Sequence, residues 1–244
     1  MQLKCILSSY TFILFFGLIG LFVIPSLIVY YAIYPFTKFP QDTFQKYASY
    51  IYKLFYFITP KIYTDIKISK DLPKSAIYVS THQASLDYPL LGIFIERYLT
   101  ITNINVKYVP FINYIGKLIG VRYLNKSNID EVQSIFKEFE EMLNLDRNIL
   151  LFPEGTRGNG QKLARFKHGA FRLAFKTNKP IVPIILDGSH KIVSKGSFCF
   201  NDTKKHTIKV RMLKPIYPSD FENENKMLKY VQNLMEYKNN EDIW

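Results

Sequence analysis

The stretch that decides the fold is Ala76–Leu91, AIYVSTHQASLDYPLL. It opens on a short run of apolar, β-branched and aromatic residues, the pattern of a buried strand. It closes on Asp87, Tyr88 and Pro89, and a proline there suits the first turn of a helix, where its missing N–H leaves no bond unmade. Between the two, the chain must turn through Gln83, Ala84 and Ser85.

Working outward, the same alternation recurs. Strands are predicted over Ala76–Ser80, Asn103–Val109, Val121–Leu124, Ile149–Phe152, Ile181–Leu186 and Thr207–Met212. Helices are predicted over Tyr88–Tyr98, Phe111–Ile119, Ile129–Leu145, Gly169–Thr177 and Asn225–Tyr237. Such alternation specifies an α/β fold, a mixed sheet flanked by helices, with functional residues gathered at strand ends. There is no internal repeat, Gly/Ser linker or low-complexity tract, so residues 61–244 are expected to form one catalytic domain.

Residues 1–60 read differently. From Cys5 to Phe36 no residue is charged, and the run from Phe12 to Tyr34 exceeds the roughly 20 residues that carry a helix across a bilayer core. A cleavable signal peptide has a shorter apolar region and a small-residue cleavage site, which is missing here. The segment is therefore expected to be an apolar membrane-anchoring helix or helical hairpin. Pro25 leaves open a kinked single span or two shorter helices dipping into one leaflet. Gln41–Phe57 has the spacing of an amphipathic helix, lying on the bilayer or packed on the domain. Lys4 before the anchor and Lys38, Lys46 and Lys53 after it favour a body on the cytoplasmic side of the inner membrane.

The balance of 32 Lys+Arg against 20 Asp+Glu, +12 in all, points to an anionic partner: nucleic acid, an anionic membrane or a phosphorylated substrate. The basic residues are dispersed and no nucleic-acid motif accompanies them, so nucleic acid is the weakest of the three. Cys5 and Cys199 have neither disulfide nor metal-ligand spacing, which suits a reducing compartment.

His82 and Asp87 stand five positions apart, and within one helix they would point in different directions. If the loop turns sharply they meet. Asp87 then fixes the tautomer of His82 and leaves its other ring nitrogen free as a general base. That is the orienting logic of a Ser-His-Asp triad without the serine, the nucleophile being a hydroxyl of the substrate. A capping or surface arrangement is the plainer alternative. Downstream, NILLFPEGTRG runs a strand into a turn in which Gly155 permits close backbone approach and Arg157 offers a planar fork suited to phosphate. GVRYLNK ends in Lys126, and KPIVPIILDG is a proline-flanked buried strand.

In order and spacing these blocks resemble the glycerolipid acyltransferase family, in particular the 1-acylglycerol-3-phosphate acyltransferases. Its His-x4-Asp element falls on His82 and Asp87, and its Phe-Pro-Glu-Gly-Thr-Arg block on Phe152–Arg157. A Phe-Lys-x-Gly-Ala element follows at Phe166, Lys167, Gly169 and Ala170, and a Val-Pro-Ile segment at Val182–Ile184. The family's second block, Gly-x-x-Phe-Ile-x-Arg, departs here to Tyr123, Leu124 and Lys126, keeping the charge but losing the bidentate fork. The resemblance implies acyl transfer from acyl-CoA or acyl-ACP to the sn-2 hydroxyl of lysophosphatidic acid, with membrane lipids as the setting. It implies catalysis by His82 and Asp87, and substrate binding by Lys107, Lys126, Glu154, Gly155, Thr156 and Arg157. With no metal cluster and no Gly-rich dinucleotide loop in the sequence, no metal or resident cofactor is expected.

Overall fold

The structure, a computed structural model, describes residues 10–33, 36, 40–108, 112–194, 200–201 and 204–236. Cys5, Cys199, Lys4, Lys38 and the predicted element ends Val109, Phe111 and Tyr237 lie outside them.

Two helices come first, α1 (Tyr10–Ile33) and α2 (Pro40–Ile58). The body then alternates: β1 (Ile62–Ile68), β2 (Ile77–Ser80), α3 (Asp87–Leu91), β3 (Tyr98–Asn103), α4 (Ile112–Leu118) and β4 (Val121–Leu124). It continues through α5 (Ile129–Asn144), β5 (Asn148–Leu151), α6 (Gly169–Thr177), β6 (Ile181–Asp187), β7 (His206–Met212) and α7 (Glu224–Glu236). Among the described residues the strands form one seven-stranded sheet in the order β1-β7-β6-β2-β5-β3-β4. From β6 to β4 every pairing is parallel; β7 runs antiparallel to β6 and parallel to β1. The expected mixed sheet flanked by helices is the observed fold.

Parallel strands with helices on both faces bury both of their faces, which is why β2, β5 and β6 read as unbroken apolar runs. Ile77 and Val79 face a core shared with Ile135, Phe139 and Leu143 of α5, with α6 and with α7. Tyr78, Val182, Ile184 and Leu186 face the opposite core, with Leu90 and Leu91 of α3 and Phe55 of α2. Helix α5 shows how local sequence sets an element. Asn128 caps it by accepting from Glu131 N at 3.1 Å, Asp130 and Glu131 face its positive end, and Ile135, Phe139 and Leu143 recur at four-residue spacing on the buried side.

Three sequence expectations change. The helix predicted over Tyr88–Tyr98 is only α3, which stops at Gly92; Arg97, with φ of 49°, turns the chain so that Tyr98–Asn103 enters the sheet between β5 and β4. The strand predicted from Asn103 onward is instead a 3-10 turn, Ile104–Tyr108. Edge strand β1 was not anticipated at all; its alternating charged residues make sense only beside β7.

Helix α1 runs for 24 residues continuously through Pro25, so the two-shorter-helices arrangement is not adopted. Among the described residues no helix is long and apolar enough to cross a membrane, so the expected membrane anchor is not confirmed by the structure. Leu14 and Leu18 join the core cluster that contains Ile51 and Phe55 of α2. Helix α2 is itself built into the body. Its buried Gln45 donates to the carbonyls of Tyr98 and Ile119 and accepts from Tyr98 N, and Asp42 pairs with the buried Arg147.

Gln45→Leu would leave three interior backbone groups without the partner this side chain supplies. We expect a loss of about 2–4 kcal/mol, read as a lowered denaturation midpoint in detergent; an unchanged midpoint would show that α2 is not pinned through Gln45.

Candidate active site

Each residue singled out by the sequence follows the C-terminal end of a parallel strand, the edge where open α/β sheets place their sites. His82 and Asp87 follow β2, Lys107 follows β3, Lys126 follows β4, and Glu154–Arg157 follow β5. The loop after β2 does turn sharply. His82 Nδ1 lies 2.9 Å from Asp87 Oδ2, and Asp87 is fully buried while the His82 side chain keeps 22% of its surface exposed. The same carboxylate oxygen accepts from the backbone N–H groups of Gln83 at 2.6 Å and Ala84 at 2.8 Å. An acceptor-only carboxylate there requires the proton on Nδ1, so in the neutral imidazole Nε2 carries the lone pair. Phe152 stacks on the imidazole at 4.3 Å between ring centroids, and Nε2 makes no hydrogen bond among the described residues.

The turn after β5 locks onto this loop. Glu154, buried, accepts through Oε1 from His82 N and through Oε2 from Ala164 N, both at 3.0 Å, and Gly158 N donates to the carbonyl of His82 at 2.7 Å. Gly155 has φ of 63°, a left-handed backbone that favours glycine, and Lys167 Nζ lies over it, 2.8 Å from where a Cβ would stand. Thr156 is exposed, and Arg157 is half-buried without an ion pair among the described residues.

Lys126 reaches across to Gly155 and donates to its carbonyl at 3.2 Å. Its ammonium is held below the usual lysine range, by partial burial first and then by the neighbouring Lys167. Two ammonium groups over one glycine leave positive charge that an anion would neutralise. Lys107 is exposed at the end of its 3-10 turn, and among the described residues no hydrogen bond or ion pair joins it to this cluster.

Comparison with known proteins identifies the family. Residues 64–187, just over half of the chain, match the family model described as Acyltransferase. The chain belongs to the acyltransferase family. It is similar to the chloroplastic 1-acyl-sn-glycerol-3-phosphate acyltransferase of Brassica napus, at 34% identity over 76% of this chain and 55% of that protein. A 1-acyl-sn-glycerol-3-phosphate acyltransferase of Saccharomyces cerevisiae is 35% identical over 59% of this chain and 48% of its own length. The chain thus spans about half the length of these curated relatives. The crystal structure of the 1-acyl-sn-glycerophosphate acyltransferase from Thermotoga maritima shares the fold, with a TM-score of 0.73 at 20% identity over 96% of this chain and 93% of that one.

Within this site two residues were not assigned a role from the sequence. Lys167 stands in a quoted block, yet its position over Gly155 depends on how the loop after β5 folds back. Ser189 donates its hydroxyl to Asp87 Oδ1 at 2.5 Å across 102 positions of sequence, and nothing local to it signals that contact. The arrangement offers an oriented base with an open nitrogen and a cationic cradle held to it by Glu154. Glu154→Gln would set an amide NH2 against one of two backbone donors. We expect about 1–3 kcal/mol of destabilisation together with a fall in catalytic rate; denaturation and turnover both at wild-type values would remove Glu154 as the link between the two loops.

Proposed function

We propose that the chain is a membrane-anchored O-acyltransferase that moves an acyl group from acyl-CoA or acyl-ACP to the sn-2 hydroxyl of 1-acyl-sn-glycerol 3-phosphate, forming phosphatidic acid. The observation that carries this reading is the 2.9 Å pairing of His82 Nδ1 with buried Asp87 at the sheet's C-terminal edge, which leaves Nε2 open. Relatives that bear this activity in their names support it.

In this reading His82 Nε2 takes the proton of the acceptor hydroxyl as its oxygen attacks the thioester carbonyl. The tetrahedral adduct collapses with cleavage of the carbon–sulfur bond, and the imidazolium returns the proton to the departing thiolate. Asp87 stays ionised and stabilises the imidazolium, as the aspartate does in a serine-protease triad. No acyl-enzyme is formed and no metal or resident cofactor is required. Arg157, Lys126 and Lys167 hold the acceptor's phosphomonoester, Arg157 by its fork and the lysines as point charges. Glu154, Gly155 and Thr156 shape the turn that presents them.

Helix α1 supplies the anchor, with its uncharged sequence in the bilayer. Tyr47, Tyr50, Leu54 and Phe57, exposed on α2, lie at the lipid surface. The body faces the cytoplasm at the inner membrane, so a lysolipid enters from the bilayer and the thioester from the aqueous side.

His82→Ala should lower turnover by roughly 10²–10⁴-fold, with circular dichroism unchanged, and Asp87→Asn should be comparably severe. Arg157→Lys should raise the KM for lysophosphatidic acid well beyond that for the thioester, because geometry is lost while charge is kept. A folded His82→Ala protein with normal turnover would sink the assignment, and a wild type that acylates only other lysolipids would move it to another acceptor.

A further inference from the structure

The described contacts of Asp87 divide unequally between its two oxygens. Oδ2 faces His82 Nδ1 and accepts from Gln83 N and Ala84 N. Oδ1 has one partner, the hydroxyl of Ser189 at 2.5 Å. Both side chains are wholly buried, with 0% exposure, so no bulk water replaces that bond if it is lost.

Ser189 is presented by a turn that is tied to the same loop at several points. Gly188, with φ of 96°, has no room for a side chain, since a Cβ would lie 2.3 Å from the carbonyl oxygen of Thr207. Its N–H donates to Gln83 Oε1 at 3.0 Å, while Gln83 Nε2 donates to Asp187 Oδ1 at 3.0 Å. These two bonds fix which end of the Gln83 amide is oxygen. His190 Nδ1, 2.8 Å from that oxygen, must therefore carry a proton. The four residues Asp187–His190 thus grip Gln83 and Asp87, the neighbour and the partner of His82.

We propose that Ser189 is a positioning residue for the dyad, acting through Asp87 from the turn after β6; the proposal rests on the reading of His82 as general base. The torsion that rotates an aspartate carboxylate is broad and nearly two-fold, so something must decide which oxygen faces the imidazole and at what angle. Ser189 does this from the far side. Without its hydroxyl, a buried anionic oxygen lacks a donor. The carboxylate relieves that by turning Oδ1 toward the amides of Gln83 and Ala84, which draws Oδ2 away from His82. The titratable groups closest to the dyad along these contacts are Glu154, on the backbone of His82, and Asp187 and His190, held through Gln83. From α2, Tyr56 donates to the carbonyl of Leu86 at 2.9 Å, its phenol pushed well above its usual range chiefly by burial.

The test uses the full chain in detergent micelles and two readouts. In Ser189→Ala, kcat should fall about 10-fold or more, as expected when a hydrogen bond to a charged group is lost, with both KM values within about twofold because no substrate contact is removed. Ser189→Thr, which keeps the hydroxyl, should retain most of the rate. The second readout needs no substrate: the downfield proton resonance of His82 Nδ1–H, identified by its absence in His82→Gln, should shift or broaden in Ser189→Ala and return in Ser189→Thr. Should Ser189→Ala fail to fold, the near-isosteric, weaker donor of Ser189→Cys should give intermediate values of both. An unmoved resonance, or equal losses in the Ala and Thr variants, would overturn the proposal. A wild type with the resonance but no acyl transfer would instead overturn the proposed function.

Discussion

A carboxylate with no solvent exposure, set at the end of a central strand, imposes conditions on everything around it. Removing Asp87 from water costs several kcal/mol unless donors replace the water, and the chain supplies four: two backbone amides, the imidazole and the hydroxyl of Ser189. The backbone donors require the loop from Thr81 to Leu86 to curl around the carboxylate. The hydroxyl requires β6 to lie beside β2 and to leave the sheet through the left-handed Gly188. Sheet order and loop geometry are therefore coupled to one buried charge, and each carries the imprint of the other.

The second loop obeys the same logic with the polarity of its groups reversed. There the orphans are backbone donors, His82 N and Ala164 N, and a buried side chain, Glu154, accepts from both. One carboxylate thereby fixes the start of the histidine loop and the far limb of the loop after β5. Gly155 is then held with its carbonyl toward Lys126 and its open Cα side toward Lys167. His82 and the cationic cradle thus sit at a fixed spacing; in the proposed reaction that spacing exists before any substrate arrives, the condition under which positioning contributes most to rate.

How much of this was legible depends on how local each determinant is. The strands β2, β5 and β6 announce themselves by apolar runs between turn signals, and α5 by its cap and its period. His82 and Asp87 were legible because both belong to one short loop. Strand β3 was not: Tyr88, Leu91, Ile95 and Tyr98 recur at near-helical spacing, and what ends the helix is Gly92 and the left-handed Arg97, which composition does not single out. Strand β1 is an exposed edge whose identity comes from pairing with β7, far along the chain. Ser189 and Lys167 gain their roles through contacts that bridge loops after different strands. Such contacts are fixed by sheet order, and sheet order is what a single sequence least reveals.

The same reasoning bears on how the N-terminal helices relate to the chemistry. An amphipathic helix serving only as a tether would need an apolar outer face and little else. Helix α2 has that face, yet inward it places Asp42 on buried Arg147, Gln45 on the backbone of β3 and of the α4–β4 junction, and Tyr56 on the carbonyl of Leu86. Leu86 immediately precedes Asp87, so the helix proposed to rest on the lipid surface is one hydrogen bond from the loop that carries this buried carboxylate. A force that tilts α2 must either break these bonds or carry the loop with it. Gln45 and Arg147 are buried and Asp42 and Tyr56 half-buried, so breaking these bonds leaves polar groups poorly placed to recover partners from water; under the proposed membrane placement, a tilt of α2 is therefore passed to the loop of His82 and Asp87.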